Sequence, residues 1–366
     1  MQLAHRLTQP MLPRLSALSS LLFDDDWLDF ALARIDPLFS MSRTRARVQS
    51  RSLIAEQMLL LTLEPNVHWQ GFVPGQYVPL RVQIDGVWHE RCYSPVSNPE
   101  HDLLQFVVKR HHDGRVSNWI HDHLKEGDLL ELGTAAGQFA LTKGDTKPLL
   151  LIAGGSGISA IISLFEDALR QNPQRSIVLA YYTETYEQIA FLETLQTLAA
   201  THDNVHLQLC VAVPPRTQTD IQGRFSKEQL KSYCSDYARR ICYVCGPAGL
   251  MQAVQNEYSL LNRMDQFHQE QFSVQRTLDR SNEAVLLNFA RSHIQVESAE
   301  PTLLLAAEAA GLKPKSACRM GICNTCSCTR ISGKTRDLVT GLIDDTPQKI
   351  IRPCISEAIS DVTLDL

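Results

Sequence analysis

Cys318, Cys323 and Cys326 stand in the spacing C-x4-C-x2-C, and Cys354 follows after 27 intervening residues, shortly before the strand-like run Asp361-Val-Thr-Leu-Asp-Leu366. This is the plant-type arrangement that holds a 2Fe-2S cluster. Four thiolates can grip two bridged irons only if three come from one loop folded back on itself and the fourth reaches in from elsewhere. Gly321 allows the tight turn such a loop needs, and Ser316, Asn324, Thr325 and Ser327 can turn hydrogen-bond donors toward sulfur. A zinc site is the alternative, but zinc sites more often show paired C-x2-C knuckles, and a second knuckle is missing. Cys328 reads as a buried thiol, because the ligand set is complete without it.

The other six of the ten cysteines (Cys92, Cys210, Cys234, Cys242, Cys245 and Cys328) form no disulfide-like framework, which fits a reducing, cytoplasmic compartment. A net charge of −5 argues against a nucleic-acid partner, since phosphate binding calls for a basic excess. The apolar run Leu15-Ser-Ala-Leu-Ser-Ser-Leu-Leu-Phe23 leads straight into Asp24-Asp-Asp26 without a small-residue cleavage pattern, so it does not read as a secretion signal. No stretch reaches transmembrane length. Trp27, Leu28, Phe30, Ala31, Ile35, Leu38 and Phe39 suggest an amphipathic helix interrupted at Pro37, in an N-terminal extension over 1–43. It is expected to pack on the body of the protein, with docking to a membrane surface or a partner as the alternative.

Three blocks follow. Residues 44–143 carry short β-rich runs, among them Ser52-Leu-Ile, Met58 to Leu63, Tyr77 to Ile84 and Leu103 to Lys109, as in a small antiparallel barrel. Residues 144–272 alternate apolar strands with helical stretches in βαβ fashion: Pro148 to Ala153, Ser176 to Tyr182, Val205 to Val211 and Ile241 to Val244 read as parallel strands. The polar run 273–283 reads as a linker, and 284–366 holds the cysteine cluster.

The first two blocks carry a site each. Arg91-Cys-Tyr93-Ser94 on an extended strand sends Arg91 and Tyr93 to one face, where a cation can meet phosphate and a ring can stack on a planar heterocycle. Ser94 can hydrogen-bond a ring nitrogen. Gly114-Arg-Val-Ser117 precedes the helical run Asn118 to Leu124, and Ser117 as N-cap would leave free N–H groups for a diphosphate. In the second block, Gly154-Gly155-Ser156-Gly157 follows an apolar strand, where backbone N–H groups can approach a pyrophosphate, although strand-to-helix turns also use glycine for geometry alone. Cys245-Gly246-Pro247 follows another strand, at the sheet edge where α/β folds bind ligands. Packing in the core is the plainer reading of Cys245.

In order, Arg91-Cys-Tyr93-Ser94, Gly114-Arg-Val-Ser117, Gly154-Gly-Ser-Gly157, Cys245-Gly-Pro247, Glu270-Gln-Phe272 and the four cysteines resemble the ferredoxin-NADP+ reductase superfamily, in the subgroup with a C-terminal plant-type ferredoxin domain. The resemblance spans about Thr44 to Leu366. It implies an antiparallel flavin-binding β-barrel, a parallel-sheet α/β nicotinamide-binding domain and a β-grasp ferredoxin domain. It also implies that Arg91, Tyr93 and Ser94 hold the flavin near its reactive ring, that Gly114 and Ser117 contact its phosphates, and that Cys245 lies beside the nicotinamide. The N-terminal extension ending Ile35-Asp-Pro-Leu-Phe-Ser40 and the sequence Cys318-Arg-Met-Gly-Ile-Cys323 look closer to the reductase partners of membrane fatty acyl desaturases. The resemblance leaves reductases of Rieske-type and alkyl-group oxygenases as the alternative.

A nicotinamide releases two electrons together and a 2Fe-2S cluster takes one, so a flavin must stand between them. A redox or iron sensor is the rival from another class; the nicotinamide site argues against it. FAD is favoured over FMN by the helix-capped diphosphate site. Glu184, in the loop after the second strand of the nucleotide block, suits a ribose hydroxyl and repels a 2′-phosphate, which favours NADH over NADPH, although Arg216 and Arg224 could supply positive charge. His111, His112, His121 and His123 read as solvated or structural. Lys313, Lys315, Arg319, Arg330, Lys334, Arg336 and Arg352 surround the ligands in sequence, so a neutral-to-basic cluster mouth is expected, facing an acidic or apolar acceptor such as a desaturase at the inner membrane face.

Overall fold

The computed structural model describes residues 29, 34–112, 114–213, 221–272, 284–316, 319, 321, 324–338 and 341–366. The chain divides after Glu270 into two compact units.

The first unit contains two sheets. Strands β1 (Arg45–Ala55), β2 (Met58–Pro65), β3 (Val78–Ile84), β4 (Val87–Tyr93), β5 (Leu104–Lys109) and β6 (Leu129–Leu132) form an antiparallel sheet in the order β4-β3-β6-β1-β2-β5. Alternation drives it: in β3, Val78, Leu80, Val82 and Ile84 are buried, while Arg81 and Gln83 face solvent. Helix α1 (Arg115–Asp122) contributes Val116 and Ile120 to the same core. Each strand expected from the sequence is present, and β6 is added by its pairing with β1 and β3.

Strands β7 (Leu149–Gly154), β8 (Ile177–Thr183), β9 (Val205–Val211), β10 (Ile221–Gln222), β11 (Ile241–Cys245) and β12 (Phe267–Glu270) form an all-parallel sheet in the order β10-β9-β8-β7-β11-β12. Every residue of β7, β8 and β11 is buried, as expected for strands covered on both faces. Helices α2 (Ile158–Gln171), α3 (Leu192–Thr201), α4 (Lys227–Tyr233) and α5 (Ala248–Leu260) lie between the strands in sequence. The strand order reverses at β7, beside β11, which makes the carboxyl ends of these two strands the ligand crevice of such a sheet.

Of the N-terminal extension, residues 34–43 form turns rather than helix, while Trp27, Leu28, Phe30 and Ala31 lie outside the described residues. The part described does pack on the barrel. Leu38 is 1% exposed, Asn66 Nδ2 donates to Leu38 O at 3.2 Å, and buried Asp29 accepts from Ser40 Oγ at 2.8 Å.

The second unit has strands β13 (Val285–Phe289), β14 (Ile294–Ser298), β15 (Cys328–Ser332), β16 (Thr335–Asp337), β17 (Ile343–Asp344), β18 (Lys349–Ile351), β19 (Ser356–Ala358) and β20 (Val362–Leu364). They make a mixed five-stranded sheet, β14-β13-β20-β15-β18, and a three-stranded sheet, β17-β16-β19. The C-terminal strand β20 runs parallel to β13 at its centre. Helix α6 (Leu303–Ala309), capped by Thr302 Oγ1 accepting from Leu305 N at 3.2 Å, buries Leu303, Ala306 and Ala307 against the larger sheet's core. The expected linker over 273–283 lies outside the described residues.

Candidate functional site

The glycine turn after β7 and the Cys245-Gly246-Pro247 turn after β11 press against each other. A Cβ on Gly157 would stand 2.1 Å from Cys245 O, and one on Gly246 would stand 2.9 Å from Gly154 Cα. Close backbone approach therefore explains glycine at 154, 157 and 246 by packing alone, and it also sets the depth of the crevice. Tyr181, fully buried, donates its hydroxyl to Gly155 O at 3.1 Å and holds the turn from the neighbouring strand. Lys109, at the end of β5, brings its Nζ to 3.6 Å from where a Cβ on Gly155 would stand. Nothing local in the sequence signals that this barrel lysine meets a turn more than forty residues later. Burial first, and then the Lys109 charge, push the His111 imidazole below its ordinary pKa.

Ser94, Cys245 and Glu270 converge at this crevice from both sheets. Parallel register puts Cys245 opposite Glu270, and Ser94 Oγ donates to Glu270 Oε2 at 3.4 Å. Ser94 is 1% exposed, Cys245 0% and Glu270 9%, so the carboxyl is nearly out of water. Desolvation pushes Glu270 up to about 8, opposed by the Ser94 hydrogen bond. Burial, then the Glu270 charge, hold the Cys245 thiol well above its ordinary value, so it is a neutral thiol rather than a nucleophile. Glu270 entered the sequence reading only as part of a matched motif; its meeting with Ser94, 176 residues away, is a tertiary fact.

On β4, an edge strand, Tyr93 packs on the barrel core, and burial raises its phenol far above the ordinary range against the opposing Arg91 charge. Arg91 Nη1 donates to Glu90 O at 2.7 Å. The expected cap is different: Gly114 is the N-cap of α1, and Ser117 sits inside the first turn, donating Oγ to Gly114 O at 3.3 Å. A Cβ on Gly114 would stand 2.2 Å from Ser117 Oγ, so the two residues still form one tight feature. Glu184 is exposed just past β8, and the adjacent Thr185 Oγ1 is buried with no hydrogen-bond partner among the described residues. Arg216 lies outside the described residues. His121 Nε2 contacts Val108 O at 2.8 Å, a structural tie.

In the second unit Cys326 and Cys354, each 6% exposed, pack together with Leu304 and Ile355. Cys318 and Cys323 lie outside the described residues. Gly321 has φ +73°, and a Cβ there would stand 2.4 Å from Ile355 Cδ1, so the loop turns tightly against the segment carrying Cys354. Two thiols in one apolar niche below such a turn suit a thiolate-held cluster. Cys328 is partly rather than fully buried; desolvation pushes its thiol up to about 12.

The basic mouth expected from the sequence is largely neutralised. Arg330 is wholly buried, donating to Thr335, Asp344 and Thr346. Arg319 forks onto Glu308, Arg336 meets Glu357 at 3.1 Å, Lys334 meets Asp345 at 3.8 Å and Arg352 meets Asp337 at 3.5 Å. Lys313 and Lys315 are exposed. Charge counting along the chain cannot tell a solvated cation from one locked to a carboxylate across a sheet.

Residues 45–141 match the oxidoreductase FAD-binding domain, 151–256 the oxidoreductase NAD-binding domain and 287–356 the 2Fe-2S iron-sulfur cluster binding domain. The chain is 30% identical over 307 residues to the ferredoxin reductase component of 3-ketosteroid-9-alpha-monooxygenase from Mycobacterium tuberculosis, covering 79% of this chain and 84% of that one. It is 28% identical over 371 residues to an NADPH oxidoreductase of the same organism, covering 100% and 91%. Among solved structures it is similar to phthalate dioxygenase reductase, with a TM-score of 0.63 and 25% identity over 88% of this chain and 97% of the other.

Proposed function

As the chain belongs to the FAD- and NAD(P)-binding oxidoreductases that carry a C-terminal 2Fe-2S ferredoxin domain, we propose that it is the reductase component of a two-component oxygenase, with the oxygenase as a separate protein. FAD and a 2Fe-2S cluster held there would supply the conversion of the two-electron chemistry of NAD(P)H into single electrons. The observation that carries the reading is the convergence of Ser94, Cys245 and Glu270 where the barrel meets the β7–β11 crevice.

Each residue has a task there. Ser94 Oγ presents a hydroxyl to the flavin ring edge. Glu270, protonated at neutral pH, stores a proton beside it. Cys245, small and neutral, leaves room for the nicotinamide ring and excludes water. Arg91 and Tyr93 hold the flavin at the barrel edge, and Gly114 with Ser117 admit its phosphates to the start of α1. The turn at Gly154, Gly155 and Gly157, with Gly246 and Pro247, receives the pyridine nucleotide, and Lys109 supplies positive charge for its phosphates. Glu184 accepts from a ribose hydroxyl, which favours NADH; the full-length relative whose name specifies NADPH makes this a sharp question. Cys318, Cys323, Cys326 and Cys354 ligate the irons.

The monooxygenase and dioxygenase in the names of two relatives favour a Rieske-type or similar oxygenase over the fatty acyl desaturase suggested by the N-terminal extension. Among the described residues no helix is long and apolar enough to cross a membrane. Two measurements test the proposal. Cys354→Ser should lose cluster absorption and cytochrome c reduction while keeping NAD(P)H-dependent reduction of small dyes; full cluster incorporation would remove Cys354 from the ligand set. Mixed with purified oxygenase components and, separately, with a membrane desaturase, the protein should support substrate oxidation by an oxygenase. Faster turnover with the desaturase would reverse the choice of acceptor.

A further inference from the structure

Arg352 joins the two segments that carry the cluster ligands. It precedes Cys354 by two residues, and its backbone carbonyl accepts from Ile355 N and from Ser356 Oγ, both at 3.0 Å, so its own segment is firmly held. Its side chain crosses to the other segment, where Nη1 donates to Gly321 O between Cys318 and Cys323. Its Nη2 lies 3.5 Å from Asp337 Oδ2, on β16. Asp337 is itself anchored: its strand pairs with β19, and its N–H donates to Leu342 O at 2.9 Å. A cation in contact with the Gly321 carbonyl and an anion on the strand that pairs with the residues after Cys354 thus stand together beside the ligand loop.

We infer that Arg352 and Asp337 are a positioning and charge-tuning pair that sets the reduction potential of the cluster. This rests on the four-cysteine assignment above. A 2Fe-2S core held by four thiolates would be an anion, and accepting one electron from the flavin after NAD(P)H has reduced it would make it more negative by one charge; no bond forms or breaks and no proton moves at these residues. A guanidinium at the Gly321 carbonyl stabilises the reduced form and raises the potential, while the carboxylate behind it offsets part of that effect. The side chains are 39% and 28% exposed, so solvent weakens both contributions without erasing them. The same guanidinium holds the carbonyl of a turn that also packs against Ile355, which sets loop geometry as well as charge.

The test is an EPR-monitored redox titration of the full-length, cofactor-loaded protein. Arg352→Gln should lower the cluster midpoint, and Asp337→Asn should raise it. The double variant should return toward wild type. Arg352→Lys, which keeps the charge and loses the fork, should hold the midpoint nearer wild type while changing the EPR line shape. If Arg352→Gln cannot hold the cluster, the upward shift in Asp337→Asn and the Arg352→Lys spectrum decide. Shifts in the same direction for Arg352→Gln and Asp337→Asn, or unmoved midpoints at full loading, would overturn the inference. Absence of any 2Fe-2S signal in the wild type would instead overturn the ligand assignment.

Discussion

Glu270 shows how much one carboxyl can report. Folding raises it from the ordinary 4.5 to about 8, so between those values the folded chain keeps a proton that the unfolded chain has released. Its contribution is therefore fully present below the unfolded value, is lost progressively as pH rises from there, and levels off above about 8. Glu270→Gln removes that dependence. Its melting temperature should gain on wild type steadily from about pH 4.5 to about pH 8 and hold constant above, as read by calorimetry; a constant difference across the range would mean that the carboxyl is not buried in solution. Glu184 answers a different question. If Glu184 reads the ribose as proposed, Glu184→Arg brings a cation to a 2′-phosphate, and the ratio of kcat/KM for NADPH to that for NADH should rise at least about tenfold, the effect of roughly 1.4 kcal/mol. A wild type that already prefers NADPH strongly would show that this loop does not read the ribose.

At the scale of elements, the crevice depends on two turns packed backbone to backbone. Gly157→Ala drives a methyl group into Cys245 O, 2.1 Å from its Cβ position, and neither strand end can yield without moving the sheet. A cost of about 3 kcal/mol is expected, together with loss of nucleotide affinity. Gly249→Ala, where an added Cβ meets nothing within 4 Å, should leave stability close to wild type in the same denaturant titration. The N-terminal segment is held in another way, by the buried Leu38 side chain and by hydrogen bonds to Asn66. Leu38→Ala should destabilise the first unit by about 3 kcal/mol. Asp29 is helical, and around the interruption expected at Pro37 the bonds from Arg45 to Pro37 O and Phe39 O hold residues 34–43 in turns.

At the scale of the whole molecule, electron delivery requires a second protein to meet the ferredoxin unit. Arg319, Arg330, Arg336 and Arg352 each meet a carboxylate and Lys334 lies 3.8 Å from one, so of the seven cations expected around the ligands, Lys313 and Lys315 are the exposed ones outside these pairs. Substrate oxidation coupled to the oxygenase should decline only moderately as salt rises. Lys313→Glu with Lys315→Glu should raise the apparent KM for the oxygenase while leaving NAD(P)H-dependent dye reduction unchanged. A steep salt dependence that survives this double variant would point to charges elsewhere on the surface.

What the linear chain determined by itself was everything carried by local spacing: the four cysteines, the alternation that makes the barrel strands, the uninterrupted apolar runs of the parallel sheet, and the order of the Arg91-Cys-Tyr93-Ser94, glycine-turn and Cys245-Gly-Pro247 motifs. These are legible because period and turn chemistry act over a few residues. Only the tertiary structure decided that Glu270 meets Ser94, that Lys109 reaches the Gly155 turn, that Arg330 is buried against Thr335, Asp344 and Thr346 and that Arg352 reaches Gly321. Glu270 and Ser94, and Lys109 and Gly155, are far apart in sequence, and it is burial, set by packing, that moves the Glu270 carboxyl far from its ordinary pKa and makes Arg330 a structural tie.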